Sequence, residues 1–284
     1  MKPSTELEGL ARLCIAAGEA ILSHAQAGLT VECKGDESPV TEADRAAEEI
    51  VLAGLRAAFP DIPVVAEEAA AAGEVPEISG KFFLVDPLDG TREFVAGRPD
   101  YTVNVALIEA GTPVMGVVHA PARGEIFAGD TRTARGDAGG GADAWAARVD
   151  EGRIGDWRRI CVRRPVPAHP VAVASRSHRD EQIDGLLDRM AIGERVSIGS
   201  SLKFCMLAEG AADFYPRFGR TMEWDTAAGH AVLAAAGGLV TALDGTPFAY
   251  GKRRQAQDAD FANPGFLAAA TRALIDRAVA ALAD

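Results

Sequence analysis

The segment that most restricts how this chain can fold is Lys81–Thr91, KFFLVDPLDGT. Phe82 to Val85 form an apolar run with the length and composition of a strand buried on both faces. Two aspartates, a proline and a glycine follow at once, and there the strand is expected to end. A run of this kind has to sit inside a sheet, so it carries acidic groups to the rim of a buried layer. Asp86 and Asp89, with Pro87 and Leu88 between them, can aim two carboxylates at one point in a tight turn and leave the Leu88 carbonyl as a third oxygen, a donor set suited to a hard divalent cation. Gly90 permits close backbone approach to a ligand. Thr91 offers a hydroxyl where a helix can begin with its amides facing an anion. The alternative is an Asp-Pro turn closed by Asp-Gly with no ligand, since turn chemistry alone accounts for Pro87, Asp89 and Gly90.

The same pattern of an apolar strand ending in acid recurs at Val64-Val65-Ala66, which runs into Glu67-Glu68. Parallel and mixed sheets collect functional groups at the carboxyl ends of their strands, so Glu67, Asp86 and Asp89 can converge; for Glu68 an exposed acidic loop is the simpler reading. A helix is predicted from about Thr41 to Ala58, with Asp44 in its first turn, where residue type alone makes it a capping partner of Thr41. Further along, EWDTAAGHAVLAAAGG predicts a helix that starts at Asp225 and ends at Gly237-Gly238. Asp225 reads as its N-cap, with the added question of whether the carboxylate reaches a metal. His230, on the Ala-rich face of that helix, reads as a packed core residue. In GSSLK, a glycine and two hydroxyls precede Lys203 at a helix start, which fits either an anion cradle with Ser200 or an ordinary Ser cap. Arg217 ends the strand predicted in ADFYPRFG.

The remaining chain supplies scaffold. Thr5 and Glu8 have capping-box spacing ahead of an amphipathic helix over residues 5–26, and Val31 to Lys34 suggests a short strand, with Lys34 a surface charge. From Tyr101 the pattern alternates through AGTP and APARG turns, predicting a three-stranded antiparallel meander. Residues 130–157 lack clear periodicity and read as a surface insertion. VAVASRSH, a helix near Asp180 to Met190, and RVSIGS then resume an α/β alternation. A hairpin in LVTALDGTPFAY and a helix beginning after Pro264 close the chain. With 284 residues and 48% hydrophobic content the chain can bury a large core, read as two halves, 1–164 and 165–284, of one unit. A net charge of −12 without long Lys/Arg blocks argues against nucleic acid as a partner. Cys14, Cys33, Cys161 and Cys205 are scattered, without CxxC pairs, which suits reduced thiols in the cytoplasm. No membrane span or signal pattern is predicted.

Taken together, EE at 67–68, DPLDGT at 86–91 and WDTAAGH at 224–230 resemble the signatures of the lithium-sensitive, magnesium-dependent phosphomonoesterases that include inositol monophosphatase. PVTEAD, SRSH, GSSLKFC and YPRFG are similar to the 3′(2′),5′-bisphosphate nucleotidase branch of that superfamily. The resemblance covers nearly the whole chain. It implies an α/β fold of αβαβα layers and two or three Mg²⁺ held by Glu67, Asp86, the Leu88 carbonyl, Asp89 and Asp225. It further implies that Asp44 and Thr91 orient the attacking water with Glu67, and that the Gly90 and Thr91 amides hold phosphate. His178, Ser200, Lys203 and Arg217 are implied to contact base, ribose or second phosphate of a nucleotide bisphosphate. The expected reaction is release of the 3′-phosphate from adenosine 3′,5′-bisphosphate by a monomer or homodimer. Phosphatase activity on inositol phosphates or fructose 1,6-bisphosphate, and a non-catalytic adenosine-bisphosphate sensor, stand as alternatives. GxSxG, GxxxxGK[ST] and HExxH are all absent.

Overall fold

The computed structural model describes residues 2–27, 31–33, 39–132, 143–175 and 181–283. In chain order the elements are α1 (Thr5–Ala27), β1 (Val31–Cys33), β2 (Pro39–Thr41), α2 (Glu42–Ala58), β3 (Val64–Ala66), α3 (Glu67–Ala71), β4 (Lys81–Asp89), α4 (Thr91–Val95), β5 (Thr102–Glu109), β6 (Thr112–Ala120), β7 (Glu125–Asp130) and β8 (Asp143–Asp150). There follow β9 (Arg153–Ile154), β10 (Arg158–Arg159), β11 (Val171–Ser175), α5 (Glu181–Arg189), β12 (Glu194–Ile198), α6 (Leu202–Ala208), β13 (Phe214–Arg217), β14 (Thr221–Met222), α7 (Glu223–Ala235), β15 (Leu239–Ala242), β16 (Ala262–Asn263), β17 (Phe266–Ala269) and α8 (Arg272–Ala283).

Five layers result, αβαβα. The first sheet runs β10-β8-β7-β6-β5-β4-β3 with β9 paired to β8, and the second runs β12-β11-β13-β17-β15. Alternation along each strand divides the apolar side chains between layers. Phe83 and Val85 of β4 join Leu10, Cys14, Val51 and Leu55 beneath α1 and α2, whereas Phe82 and Leu84 face the middle layer with Phe204, Ala228 and Val232 of α6 and α7. On the second sheet, Tyr215 and Phe266 face that same middle layer, while Phe214 and Leu267 face Leu186 and Ile275 of α5 and α8. The two sheets divide between Arg159 and Val171, and α7, from beyond that division, packs on β4 to β7.

The middle helix lies very close to the first sheet. A Cβ added to Gly116 of β6 would fall 2.6 Å from the Ala228 carbonyl oxygen, and one on Gly129 of β7 would fall 2.7 Å from Val232 Cα. Small residues on α7 and glycines on the strands are therefore one feature seen from two sides. That approach places the first turn of α7, with Asp225, beside the strand ends.

Several expectations need correction. The first helix is capped by Ser4, whose Oγ accepts the Leu7 amide at 3.3 Å, rather than by Thr5 with Glu8. β4 does not end at Val85: it continues through Pro87 to Asp89, with a register shift against β5 between Asp86 and Asp89. A bulge is where a strand tolerates proline. Residues 143–150 are no surface insertion, because β8 pairs with β7 in full register and carries the fully buried Trp145. The terminal helix starts at Arg272, since Phe266–Ala269 is a central strand between β13 and β15. The hairpin expected over 239–250 reduces to a bridge between Thr241 and Pro247. α7 begins at Glu223, so Asp225 is its third residue and not its N-cap. Lys34 and His178 lie outside the described residues. No described helix is long and apolar enough to cross a membrane.

Candidate active site

The acidic residues come together because β3 and β4 are parallel neighbours, with Ala66 paired to Val85. Glu67, the first residue of α3, therefore emerges next to Asp86, and the bulge carries Asp89 round to the same rim. One cleft is lined by Glu67, Asp89, Thr91, Lys203, Arg217 and Asp225, among others, with Gly90 and Ser200 in its wall. Burial pushes the carboxyls of Asp86 and Asp225 well above the usual carboxylate range, and repulsion from Glu67 and Asp89 adds to both, with Asp86 also raised by Asp225. Among the described residues these side chains do not close into a ready-made metal cage.

Each of the three aspartates at this rim uses an oxygen to accept from the protein. Asp86 Oδ1 accepts the Leu88 amide at 3.0 Å, and Asp225 Oδ2 accepts the Met222 amide at 2.7 Å. Asp89 Oδ2 accepts the Ser200 hydroxyl at 2.5 Å and the Ser201 amide at 2.7 Å. The opposite oxygens, Asp86 Oδ2, Asp89 Oδ1 and Asp225 Oδ1, take no hydrogen bond among the described residues. Anchored carboxylates with one oxygen left over, beside a backbone carbonyl, form an all-oxygen donor set that fits a hard divalent cation and does not fit a soft one.

Asp44 performs two tasks at once. Its Oδ2 accepts the Thr41 amide at 2.7 Å and the Thr41 hydroxyl at 2.6 Å, closing the capping box of α2, while its Oδ1 accepts the Thr91 hydroxyl at 3.1 Å. The Leu88 carbonyl lies at the same 3.1 Å from Thr91 Oγ1, so one proton serves two acceptors. Gly90 holds this corner open: its φ is 95°, a conformation that favours glycine, and a Cβ there would stand 3.1 Å from the Asp100 carbonyl oxygen.

The far wall is less as expected. Lys203 lies at the cleft but points its ammonium under the 198–200 loop, 2.6 Å from the Ser200 carbonyl and 3.5 Å from that of Ile198, over the Tyr215 ring at 5.5 Å. Burial lowers its pKa to about 8, with attraction to Asp89 opposing that shift. Ser200, in the left-handed region at φ 57°, turns its hydroxyl to Asp89. Arg217 stands at the cleft with its guanidinium near the Gly219 carbonyl at 3.1 Å. Arg92 and Arg220 line the same opening, the latter 3.0 Å from Asp258.

Sequence reasoning missed a supporting set. Ser201 Oγ donates to the Asp225 carbonyl at 2.7 Å and receives Asn104 Nδ2 at 3.1 Å, tying β5 to the starts of α6 and α7. Glu48, on α2, accepts the amides of Glu68 and Ala69 at 2.8 and 2.9 Å. Its only local signal is its place four residues after Asp44 on the apolar face of a helix.

A five-layer sandwich with acidic strand ends and a Thr–Asp pair at one rim defines a class. The sequence signature of the inositol monophosphatase family matches residues 3–276, and the chain belongs to that family. Within it, the chain is 43% identical over 267 residues to the 3′(2′),5′-bisphosphate nucleotidase CysQ of Salmonella typhimurium, covering 92% of this chain and 98% of that protein. The CysQ of Escherichia coli K12 is 42% identical over 262 residues, covering 92% of this chain and 98% of the relative. Among solved structures, CysQ from Bacteroides thetaiotaomicron superposes with a TM-score of 0.71 at 33% identity, covering 94% of this chain and 98% of that one.

Proposed function

We propose that this chain is a Mg²⁺-dependent 3′(2′),5′-bisphosphate nucleotidase that releases the 3′-phosphate of adenosine 3′,5′-bisphosphate, leaving AMP. The observation that carries the reading is the convergence of Glu67, Asp86, Asp89 and Asp225 beside the Thr91–Asp44 hydrogen bond, in a chain similar to CysQ proteins over nearly all of its length. Glu67, Asp86, the Leu88 carbonyl, Asp89 and Asp225 would hold two or three Mg²⁺. Bound there, the cations supply charge neutralisation, activation of water and stabilisation of the leaving oxygen.

The chain's own groups do the positioning. With its proton turned to Asp44 Oδ1, Thr91 Oγ1 presents a lone pair that accepts a hydrogen bond from the attacking water and orients that water toward phosphorus. Glu67, the acidic residue at the end of the neighbouring strand, fixes the other side of that water. The Gly90 and Thr91 amides hold the phosphate oxygens at the start of α4. Ser200 fixes Asp89, and Arg217 takes the phosphate that is not cleaved; His178 is proposed for the base. Residues 1–164 and 165–284 are read as halves of one catalytic unit, a monomer or homodimer without a nucleic-acid partner. The free thiols Cys14 and Cys205, both buried, support a reducing cytoplasm.

Phosphate release from adenosine 3′,5′-bisphosphate, inositol 1-phosphate and fructose 1,6-bisphosphate at matched Mg²⁺ tests the assignment. The nucleotide is expected to lead in kcat/KM by ~10-fold or more, the discrimination available to a site that binds one extra group. Equal values would make a general sugar-phosphate phosphatase the better description, and tight nucleotide binding without turnover would leave a sensor.

A further inference from the structure

α3 has little of its own to hold it. It is five residues long, none of them fully buried, and Ala66 at its N-cap offers no side-chain oxygen. The first amides of a helix lack internal partners and need them from elsewhere. Both oxygens of one carboxylate meet that need: Glu48 Oε2 takes the Glu68 amide at 2.8 Å and Oε1 the Ala69 amide at 2.9 Å. Glu48 is 6% exposed, so the bond pair is made away from bulk water, where charged acceptors are strongest. The residue directly before those two amides is Glu67. Glu67 is joined directly to those two anchored amides, so where Glu48 holds residues 68 and 69 bears on the direction of its side chain.

Glu48 also lies one helical turn from Asp44, on the same buried face of α2. Asp44 Oδ1 takes the Thr91 hydroxyl at 3.1 Å. A single rigid helix, locked at its start by the Thr41–Asp44 box, thus grips the Thr91 corner of the cleft and the backbone behind Glu67. We propose that Glu48 is a positioning residue that sets Glu67 relative to Thr91, so that α2 fixes the spacing between the two sides of the cation site. The proposal rests on the assignment of Glu67 to Mg²⁺ made above. An ordinary helix cap would also bond these amides, and the two roles separate by experiment.

The test is Mg²⁺ binding to the substrate-free protein by isothermal titration, beside kcat, KM and melting temperature, for wild type, Glu48→Gln, Glu48→Asp and the exposed neighbour Glu49→Gln as a charge control. Glu48→Gln is expected to weaken Mg²⁺ binding by ~10-fold or more and to lower kcat at saturating Mg²⁺ by a similar factor, the range seen when a partner behind a metal ligand is removed. KM should change little. Glu48→Asp, which keeps the charge but falls one methylene short of the two amides, should lie between Glu48→Gln and wild type, and Glu49→Gln should match wild type. Glu48→Gln with a lowered melting temperature but wild-type Mg²⁺ affinity would overturn the proposal and leave a helix cap. Should Glu48→Gln not fold, wild-type Mg²⁺ binding in folded Glu48→Asp overturns it equally. A wild type that binds no Mg²⁺ would instead sink the functional assignment on which it rests.

Discussion

At the scale of single residues, the Lys203 ammonium is 2.6 Å from the Ser200 carbonyl, and the Ser200 hydroxyl is 2.5 Å from Asp89. The lysine is buried, its charge disfavoured enough to bring its pKa to about 8, and its ammonium donates to the carbonyls of Ser200 and Ile198. Its effect on the reaction is therefore expected to pass through the loop that holds Asp89. Lys203→Met keeps the stem and leaves the Ser200 carbonyl without its donor, at a cost of ~1–3 kcal/mol in stability. It should impair adenosine 3′,5′-bisphosphate and inositol 1-phosphate alike. Arg217→Ala should raise KM for the bisphosphate ~10-fold or more while sparing the monophosphate, because only the former has a second phosphate to lose a charged hydrogen bond. A bisphosphate-specific defect in Lys203→Met, measured in the same steady-state assay, would return Lys203 to direct substrate contact.

At the scale of elements, α7 controls the distance between the two sheets and the placement of Asp225. Its contact face is made of Ala228, Ala231 and Val232 against Gly116 and Gly129, and on its opposite side Gly229 would set a Cβ 2.5 Å from the Phe204 ring. Gly129→Ala puts a methyl 2.7 Å from Val232 Cα, a backbone atom that moves only with the helix. Overpacking of that kind typically costs ~1–3 kcal/mol, or ~2–4 °C in melting temperature per kcal/mol for a chain of this size. Because the helix carries Asp225, Mg²⁺ affinity should fall together with the melting temperature in Gly129→Ala. A variant that melts lower but binds Mg²⁺ as wild type would show that the helix yields at its far end only.

For the whole molecule, two buried imidazoles set an acid limit. Burial holds His119 down at about 4 and His230 at about 3, although the Glu125 carbonyl partly offsets the shift at His119. In the unfolded chain both titrate near 6.5, so the unfolded state binds more protons between that value and the folded pKa. Folding free energy is fully present above about 6.5 and is lost as pH falls toward 4, with a slope approaching ~1.4 kcal/mol per pH unit for each histidine. Asp86 and Asp225 act in the opposite sense in metal-free protein, since their raised carboxyls bind protons more readily when folded. Denaturant unfolding of the metal-free protein at pH 7, 6, 5 and 4 should show the net slope, and His230→Gln should flatten it. An identical slope in the variant would remove His230 from the account.

Much of this could be read along the chain. The acidic ends of two strands, the Thr-Asp start of α2, the hydroxyls of GSSLK and the period-two alternation of the meander are local patterns, set by residues within a turn or a few strand positions of one another. They point to an α/β chain with acidic groups at its strand ends; the layering and the full set of residues proposed for the cations, Asp225 included, come from the family resemblance. Other features depend on partners far apart in sequence. Glu67 meets Asp86 because β3 pairs with β4, Ser200 reaches Asp89 across 111 residues, and Glu48 reaches the Glu68 amide across 20. The run through Pro87 to Asp89 stays in a strand because β5 accepts a bulge, and Phe266–Ala269 is a strand because β13 and β15 flank it. Lys203 reads as part of an anion cradle until the loop above it supplies carbonyls and Tyr215 a ring. Propensity, periodicity and charge are properties of neighbours along the chain, whereas register, burial and the direction of a buried side chain are settled only when the layers pack.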